Sequence, residues 1–284
     1  MEDRAVPGSS ARLAHATRGS GPWLALIAGT GYPMATWHPD LLDALAERYT
    51  VLAFDHRGTG SSPGTAGVYS TRQFAADLLA LLDELQVESS HLLGHSMGGR
   101  VAQWVALDGP DRVRSLVLAA SGPGQVDPSR PQAQGVPVTT ALGLIERGYE
   151  GFIRETISRT FFTPEFVAAE PDRVEWLIDA FWSHRPAIED YLKHVAARQE
   201  HRTASRLADI RQPALVVVGD ADTHHGGTGS HLAQSQFLAA RLPNARLELI
   251  EGERHGFLWT QPARLAALIG DWIDGVEAGR AGAT

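Results

Sequence analysis

His91-Leu92-Leu93-Gly94-His95-Ser96-Met97-Gly98-Gly99-Arg100 is the stretch whose reading decides the fold. An apolar run, His91 to Leu93, is followed by a glycine-flanked serine and then by an amphipathic stretch from Arg100 to Leu107. That order predicts a strand, a sharp turn and a helix. A turn this tight leaves no room for side chains at its flanks, which is why glycine stands at 94 and 98. The serine is held in a strained backbone with its hydroxyl clear of the sheet. The helix behind it aims free N–H groups and the positive end of its dipole at whatever the serine attacks. The pattern is a nucleophile elbow, the device of an acyl-transfer enzyme. With 29 glycines in the chain, chance copies of G-x-S-x-G are expected, and Gly60-Ser61-Ser62-Pro63-Gly64 is one. It follows the polar turn Asp55-His56-Arg57-Gly58 and leads into a Gly/Pro-rich loop, so context singles out Ser96.

Working outward, short apolar runs alternate with helical patterns. Strands are predicted at Trp23–Ile27, Val51–Phe54, His91–Leu93, Leu116–Ala120, Leu215–Val218 and Arg246–Ile250, with an antiparallel edge strand within Ala11 to Thr17. Several are continuous apolar runs, as strands covered on both faces of a parallel sheet should be. Helices are predicted at Leu41–Arg48, Thr71–Leu85, Gly99–Leu107, Gln234–Arg241 and Pro262–Val276. The alternation implies an α/β fold with a doubly wound, mostly parallel sheet. Between about Gly124 and Leu207 no convincing strand occurs. A Pro/Gly-rich opening gives way to a helical, aromatic segment containing Phe161, Phe162, Trp176, Phe181, Trp182 and Tyr191. The domain organisation expected is a core of residues 1–123 and 208–284, with 124–207 as a helical cap over the carboxyl edge of the sheet, where open α/β folds bind ligands.

Composition narrows the chemistry. The chain has 284 residues, 43% hydrophobic and 20% charged, ordinary for one large α/β domain with an insertion. A net charge of −8 leaves no basic stripe for phosphates, so no nucleic-acid partner is expected. The absence of cysteine excludes thiolate catalysis and thiolate metal sites. No apolar run approaches the ~20 residues that span a bilayer, and Met1 to Ser10 lacks a basic segment followed by an apolar core. The expectations are a cytoplasmic address, a small-molecule substrate, no membrane and no cofactor, with room for a homodimer.

A serine hydroxyl needs a base, and the base needs an acid to hold its tautomer. His255 follows the predicted strand at Arg246–Ile250 through Glu251-Gly252-Glu253-Arg254 and precedes the last helix, well placed to swing over the sheet edge. The acid should follow the preceding strand, where Gly219-Asp220-Ala221-Asp222 offers two aspartates. Asp222 sits further out and is preferred; Asp220, nearer the strand end, suits a turn hydrogen bond. An oxyanion hole needs two convergent N–H groups. Met97, first in the helix behind Ser96, should give one, and Thr30, in Ala28-Gly29-Thr30-Gly31-Tyr32, the other. Pocket candidates are Gly31, His95, Phe161, Trp182, Phe257 and Trp259. Core packing is an equal reading for Phe257 and Trp259, and His95 is expected to pack beneath the sheet edge.

Four segments in this order resemble the α/β-hydrolase fold superfamily, in its capped esterase, lactonase and epoxide-hydrolase-like branch. They are Gly94–Gly98; Asp55-His56-Arg57-Gly58-Thr59-Gly60-Ser61-Ser62, similar to the D-x-R-G-x-G-x-S turn; Gly219-Asp220-Ala221-Asp222; and Gly252-Glu253-Arg254-His255-Gly256. The resemblance implies a serine nucleophile and argues against the branches that attack with aspartate. One departure is Ala28-Gly29, where the family usually writes His-Gly; the missing imidazole removes a prop from the oxyanion loop. The leading expectation is hydrolysis of a small to medium apolar ester, lactone or thioester. C–C bond hydrolysis or a cyclase, lyase or transferase step with the same triad is a second reading, and a ligand-binding protein on a hydrolase scaffold a third. Gly29-x-Gly31 lacks the third glycine of a dinucleotide fingerprint, because Met34 stands there. His224-His225 with His231 suggests a metal site, but adjacent histidines point apart and a surface loop with a flexible Gly-rich run is the expectation, so no metal is assigned; because it directly follows the presumed acid, this loop is also a candidate wall of the pocket.

Overall fold

The computed structural model describes residues 12–126, 129, 133–223, 225–226 and 229–281. Seven strands form one twisted sheet in the order β1-β3-β2-β4-β5-β6-β9. They are β1 His15–Arg18, β2 Trp23–Ile27, β3 Thr50–Phe54, β4 Ser90–His95, β5 Val113–Ala119, β6 Ala214–Gly219 and β9 Ala245–Ile250. Only β1 runs antiparallel, pairing His15 with Phe54 at the sheet edge; the rest are parallel. This edge strand begins later than the predicted Ala11, which lies outside the described residues, and it continues to Arg18.

The central strands β2, β4, β5 and β6 are almost entirely buried, which explains their unbroken apolar runs. Two core layers cover the two faces. One joins Leu24, Leu26, Leu93 and Val117 to α1 (Pro39–Ala46) and α10 (Pro262–Ala281). The other joins Ala25, Ile27, Leu92 and Leu118 to α2 (Thr71–Glu84), α3 (Met97–Asp108) and α8 (His231–Arg241). Adjacent residues on one strand thus belong to opposite layers, the period-two alternation of a pleated strand.

Between β5 and β6 the described residues are mainly helical: α4 Val138–Thr156, kinked at Gly148, a π-helical turn Ile157–Phe161, α5 Pro164–Ala169, α6 Pro171–Ser183 and α7 Ile188–Gln199. This segment is tied to the core by specific bonds. The Asp190 carboxylate of α7 accepts from Tyr69 Oη at 2.7 Å, and Lys193 Nζ of the same helix donates to the Thr65 carbonyl at 3.0 Å. His194 Nε2 lies 2.9 Å from the Arg57 carbonyl, which can only accept, so that nitrogen carries the proton. After β6, two short strands, β7 His225–Gly226 and β8 Gly229–Ser230, form an antiparallel ribbon leading into α8. A four-residue helix, α9 (Phe257–Thr260), follows β9.

Candidate active site

Ser96 sits between the end of β4 and the start of α3 with φ 55° and ψ −115°. Few non-glycine residues adopt this backbone, and such strain persists only where the surroundings over-determine it. They do so here. Ser96 N–H donates to the Ala119 carbonyl at 2.8 Å, and the Ser96 carbonyl accepts from Ser121 Oγ at 2.7 Å. A Cβ on Gly94 would fall 2.5 Å from the backbone of Gly98, and one on Gly98 would fall 1.9 Å from the Ile27 carbonyl oxygen. Close approach of strand and helix therefore dictates both flanking glycines.

The loop after β2 lies against this elbow. A Cβ on Gly29 would stand 3.5 Å from Ser96 Cβ and 3.4 Å from His95 Nδ1. Among the described residues neither the Thr30 N–H nor the Met97 N–H, first in α3, has an acceptor. The Thr30 hydroxyl is also buried without a partner. The loop is held from outside. Asp55 Oδ1 accepts from Met34 N at 2.7 Å while its Oδ2 accepts from Ser61 N at 2.9 Å. Trp259 Nε1 donates to the Thr36 carbonyl at 2.7 Å. His56 Nε2 lies 3.3 Å from the Ala28 carbonyl and donates to it. Although Ala28 brings no imidazole to this loop, one from the D-x-R-G turn thus props it through the Ala28 carbonyl.

Opposite the elbow, His255 Nδ1 is 2.8 Å from Asp222 Oδ2, and both side chains are buried. The carbonyl of His255 accepts from His95 Nε2 at 3.1 Å, and the two rings stand 4.7 Å apart, so the histidine loop is fastened to the residue beside Ser96. Of the two candidate acids, Asp222 makes this contact. Asp220 turns the other way, Oδ1 accepting from Gly252 N at 2.7 Å, the turn bond expected of it.

His231 is a correction. Expected on a flexible surface loop, it is the first residue of α8 and its Nδ1 lies 3.2 Å from Asp222 Oδ1. Its ring lies over that of His255, 4.0 Å between centroids and tilted 31°. His224 lies outside the described residues. An ionised carboxylate only accepts, so both Nδ1 atoms carry protons, and on neutral His255 the Nε2 lone pair is left for use as a base. Burial opposes the charge on Asp222, but His255 and His231 outweigh it and hold the carboxyl well below its ordinary value. His231 is pushed down to about 4, by burial first and by His255 next. His95 is pushed down by burial and by His255. Donor atoms of Asp222, His231 and His255 fall within 4.8 Å of one another. Both Nδ1–H groups are spent on the carboxylate, which closes the trio by hydrogen bonds.

The aromatic residues divide. Phe161, from the π-turn, stands edge-on to His255 at 5.0 Å and stacks on Tyr32 at 5.4 Å. Trp259 stands 5.4 Å from Phe161 and 5.2 Å from His95. Tyr32, missed by the sequence reading although it follows the oxyanion candidates, joins this cluster. Gly31 lies under the Tyr191 ring, where a Cβ would approach within 2.6 Å. Phe257 is sealed in the core layer with Ile250 and Leu265. Trp182 packs on Tyr149 and under Arg185, and none of its ring contacts reaches His255 or Trp259.

A strained serine between strand and helix, an Asp–His pair after the last two parallel strands and this sheet order occur together in one family, and the family model described as alpha/beta hydrolase fold matches residues 25–262. The chain belongs to the α/β-hydrolase fold family. Among curated relatives, a protein from Pseudomonas savastanoi pv. phaseolicola, provisionally named carbamate hydrolase RutD, is 31% identical over 254 residues, covering 89% of this chain and 94% of that one. The 3-oxoadipate enol-lactonase 2 of Acinetobacter baylyi is 30% identical over 246 residues, covering 84% and 85%. A solved hydrolase from Pseudomonas aeruginosa PA01 superposes with a TM-score of 0.77 at 25% identity, covering 94% and 97%. This α/β-hydrolase is an enzyme, and its relatives include an enol-lactonase. No helix among its described residues is long and apolar enough to cross a membrane.

Proposed function

We propose that this α/β-hydrolase cleaves a small to medium, largely apolar ester, lactone or thioester through an acyl-enzyme on Ser96. His255 Nε2 takes the Ser96 proton as Oγ attacks the carbonyl carbon. Asp222 holds the imidazole in its Nδ1–H tautomer and stabilises the imidazolium that forms. The N–H groups of Thr30 and Met97 receive the developing oxyanion. Collapse releases the alcohol or thiol with the proton from His255. Water, activated by the same imidazole, then attacks the acyl carbon and frees the acid and Ser96. In a lactone the leaving hydroxyl stays attached, so the product is a single hydroxy acid or its tautomer.

The observation that carries this reading is the 2.8 Å Asp222–His255 bond, fastened through His95 to the strained elbow. The aromatic wall of Tyr32, Phe161 and Trp259 favours an apolar acyl or alcohol group, and residues 124–207 act as the cap that brings Phe161 to it. The second reading, C–C bond or non-hydrolytic chemistry, rests on Ala28 and the aromatic cap. His56 bonds to the Ala28 carbonyl, and an aromatic wall serves an apolar ester equally well. The test is product analysis by mass spectrometry after incubation with a panel of esters, lactones and thioesters. Hydrolysis of at least one class, lost in Ser96→Ala, is expected; undiminished turnover in Ser96→Ala refutes the mechanism.

A further inference from the structure

The Asp222 carboxylate serves two imidazoles, and the mechanism above uses one. The chain builds the second contact deliberately. The β7–β8 ribbon returns the chain toward the sheet edge, and Ser230 caps α8 by accepting from Ala233 N at 3.2 Å. This places His231 at the first helical position, its Nδ1–H on Asp222 Oδ1. Next in sequence, Leu232 N–H donates to the Asp222 carbonyl at 3.1 Å. The first turn of α8 therefore grips residue 222 by both side chain and main chain. The ionisable groups around His231 are Asp222 after β6, His255 after β9, His95 ending β4 and Arg100 of α3. Asp222 is the anion among them.

We propose that His231 is a positioning residue of the relay: its Nδ1–H fixes the Asp222 carboxylate through Oδ1 so that Oδ2 faces His255, and its ring backs the His255 ring. The inference rests on the Ser96–His255–Asp222 reading. A terminal carboxylate torsion is soft, and one partner leaves it free to swing. With each oxygen committed to a different imidazole, any swing breaks a bond. His231 suits this task because burial keeps it neutral: it has an Nδ1 proton to give and no charge to repel the imidazolium forming on His255 4.0 Å away. Arg or Lys there would draw the carboxylate off that imidazolium.

The experiment compares His231→Asn, His231→Gln and His231→Leu with the parent and with Ser96→Ala. The readout is the rate of covalent labelling by an alkyl fluorophosphonate, followed by intact mass, which requires no knowledge of the substrate. Urea midpoints are measured alongside. The Asn amide nitrogen can take nearly the place of imidazole Nδ1, whereas the Gln amide lies one carbon further out. The Leu and Gln variants should label about tenfold more slowly or worse, and Asn within about threefold of the parent, because small misplacements of a relay group are costly. Equal rates in all three variants, or Asn as slow as Leu with its urea midpoint intact, overturns the proposal. Should Leu fail to fold, the Asn–Gln contrast decides. Labelling that persists in Ser96→Ala removes the triad reading itself, an outcome separate from failure of the His231 inference.

Discussion

Replacing Asp222 by asparagine, with Asp220→Asn beside it, separates two carboxylates that are neighbours in sequence and differ wholly in surroundings. Asp222 is 1% exposed and accepts Nδ1–H from His255 at 2.8 Å and from His231 at 3.2 Å. An amide there keeps one acceptor oxygen but turns an NH2 donor toward the second imidazole, donor against donor. One ring must change tautomer. If it is His255, Nε2 gains the proton and loses the lone pair that Ser96 needs. The analogous replacement in a serine protease lowers kcat by about 10⁴-fold, roughly 5.5 kcal/mol of barrier, and a loss of that order is expected here. Asp220 makes one side-chain hydrogen bond, to Gly252 N at 2.7 Å, which an amide oxygen can still accept. Its replacement should leave kcat/KM within about twofold and cost about 1 kcal/mol of stability or less. The assay is kcat/KM on a p-nitrophenyl ester or the best substrate of the panel, with urea midpoints for both variants. Asp222→Asn retaining more than about a tenth of parent activity, or Asp220→Asn losing as much as Asp222→Asn, would refute the assignment.

Gly98→Ala places a methyl 1.9 Å from the Ile27 carbonyl oxygen, with no flexible side chain to yield. It should cost about 3 kcal/mol, or about 6–10 °C in Tm by calorimetry, and an unchanged Tm would contradict the close approach of α3 to β2. Acid should destabilise the fold through His56 and His194, which burial pushes down to about 3 and about 4. Their folded values lie below the unfolded value near 6.5, so the unfolded chain binds the extra protons as pH falls from about 6.5 toward 4. Each contributes a loss of about 2 kcal/mol at about pH 5 relative to neutrality. Urea midpoints should fall accordingly, and by less in His194→Gln; a midpoint as high at the lower pH would count against neutral buried imidazoles.

The parallel strands were legible because burial on both faces writes them as apolar runs; the predictions lie within the strands found except at Ala120, which follows the end of β5 with φ 47°. Helix ends were less so. The helix predicted from Gln234 starts at His231 because Ser230 caps it, and the last helix runs past Val276 to Ala281. The elbow glycines announced Ser96 because a steric requirement at a fixed spacing is a local signal. Asp222 was preferred to Asp220 on loop reach, a short-range property. His231 was missed because its role depends on the β7–β8 ribbon folding back, and a Gly-rich run carries no sign of where it returns. The prop by His56 was missed for a related reason: it spans from residue 56 to the carbonyl of 28, and a carbonyl leaves no mark in a sequence. Trp182 packs on Tyr149 and not against His255 or Trp259, a separation that aromatic character alone does not reveal.

The most direct measurement is stoichiometric reaction with an alkyl fluorophosphonate, the adduct located by peptide mass spectrometry. One phosphonyl group per chain, carried on Ser96, is expected, with no adduct in Ser96→Ala and a rate that collapses in His255→Ala. A parent protein that stays unlabelled, or one whose Ser96 reacts as fast without the imidazole of His255, would contradict it.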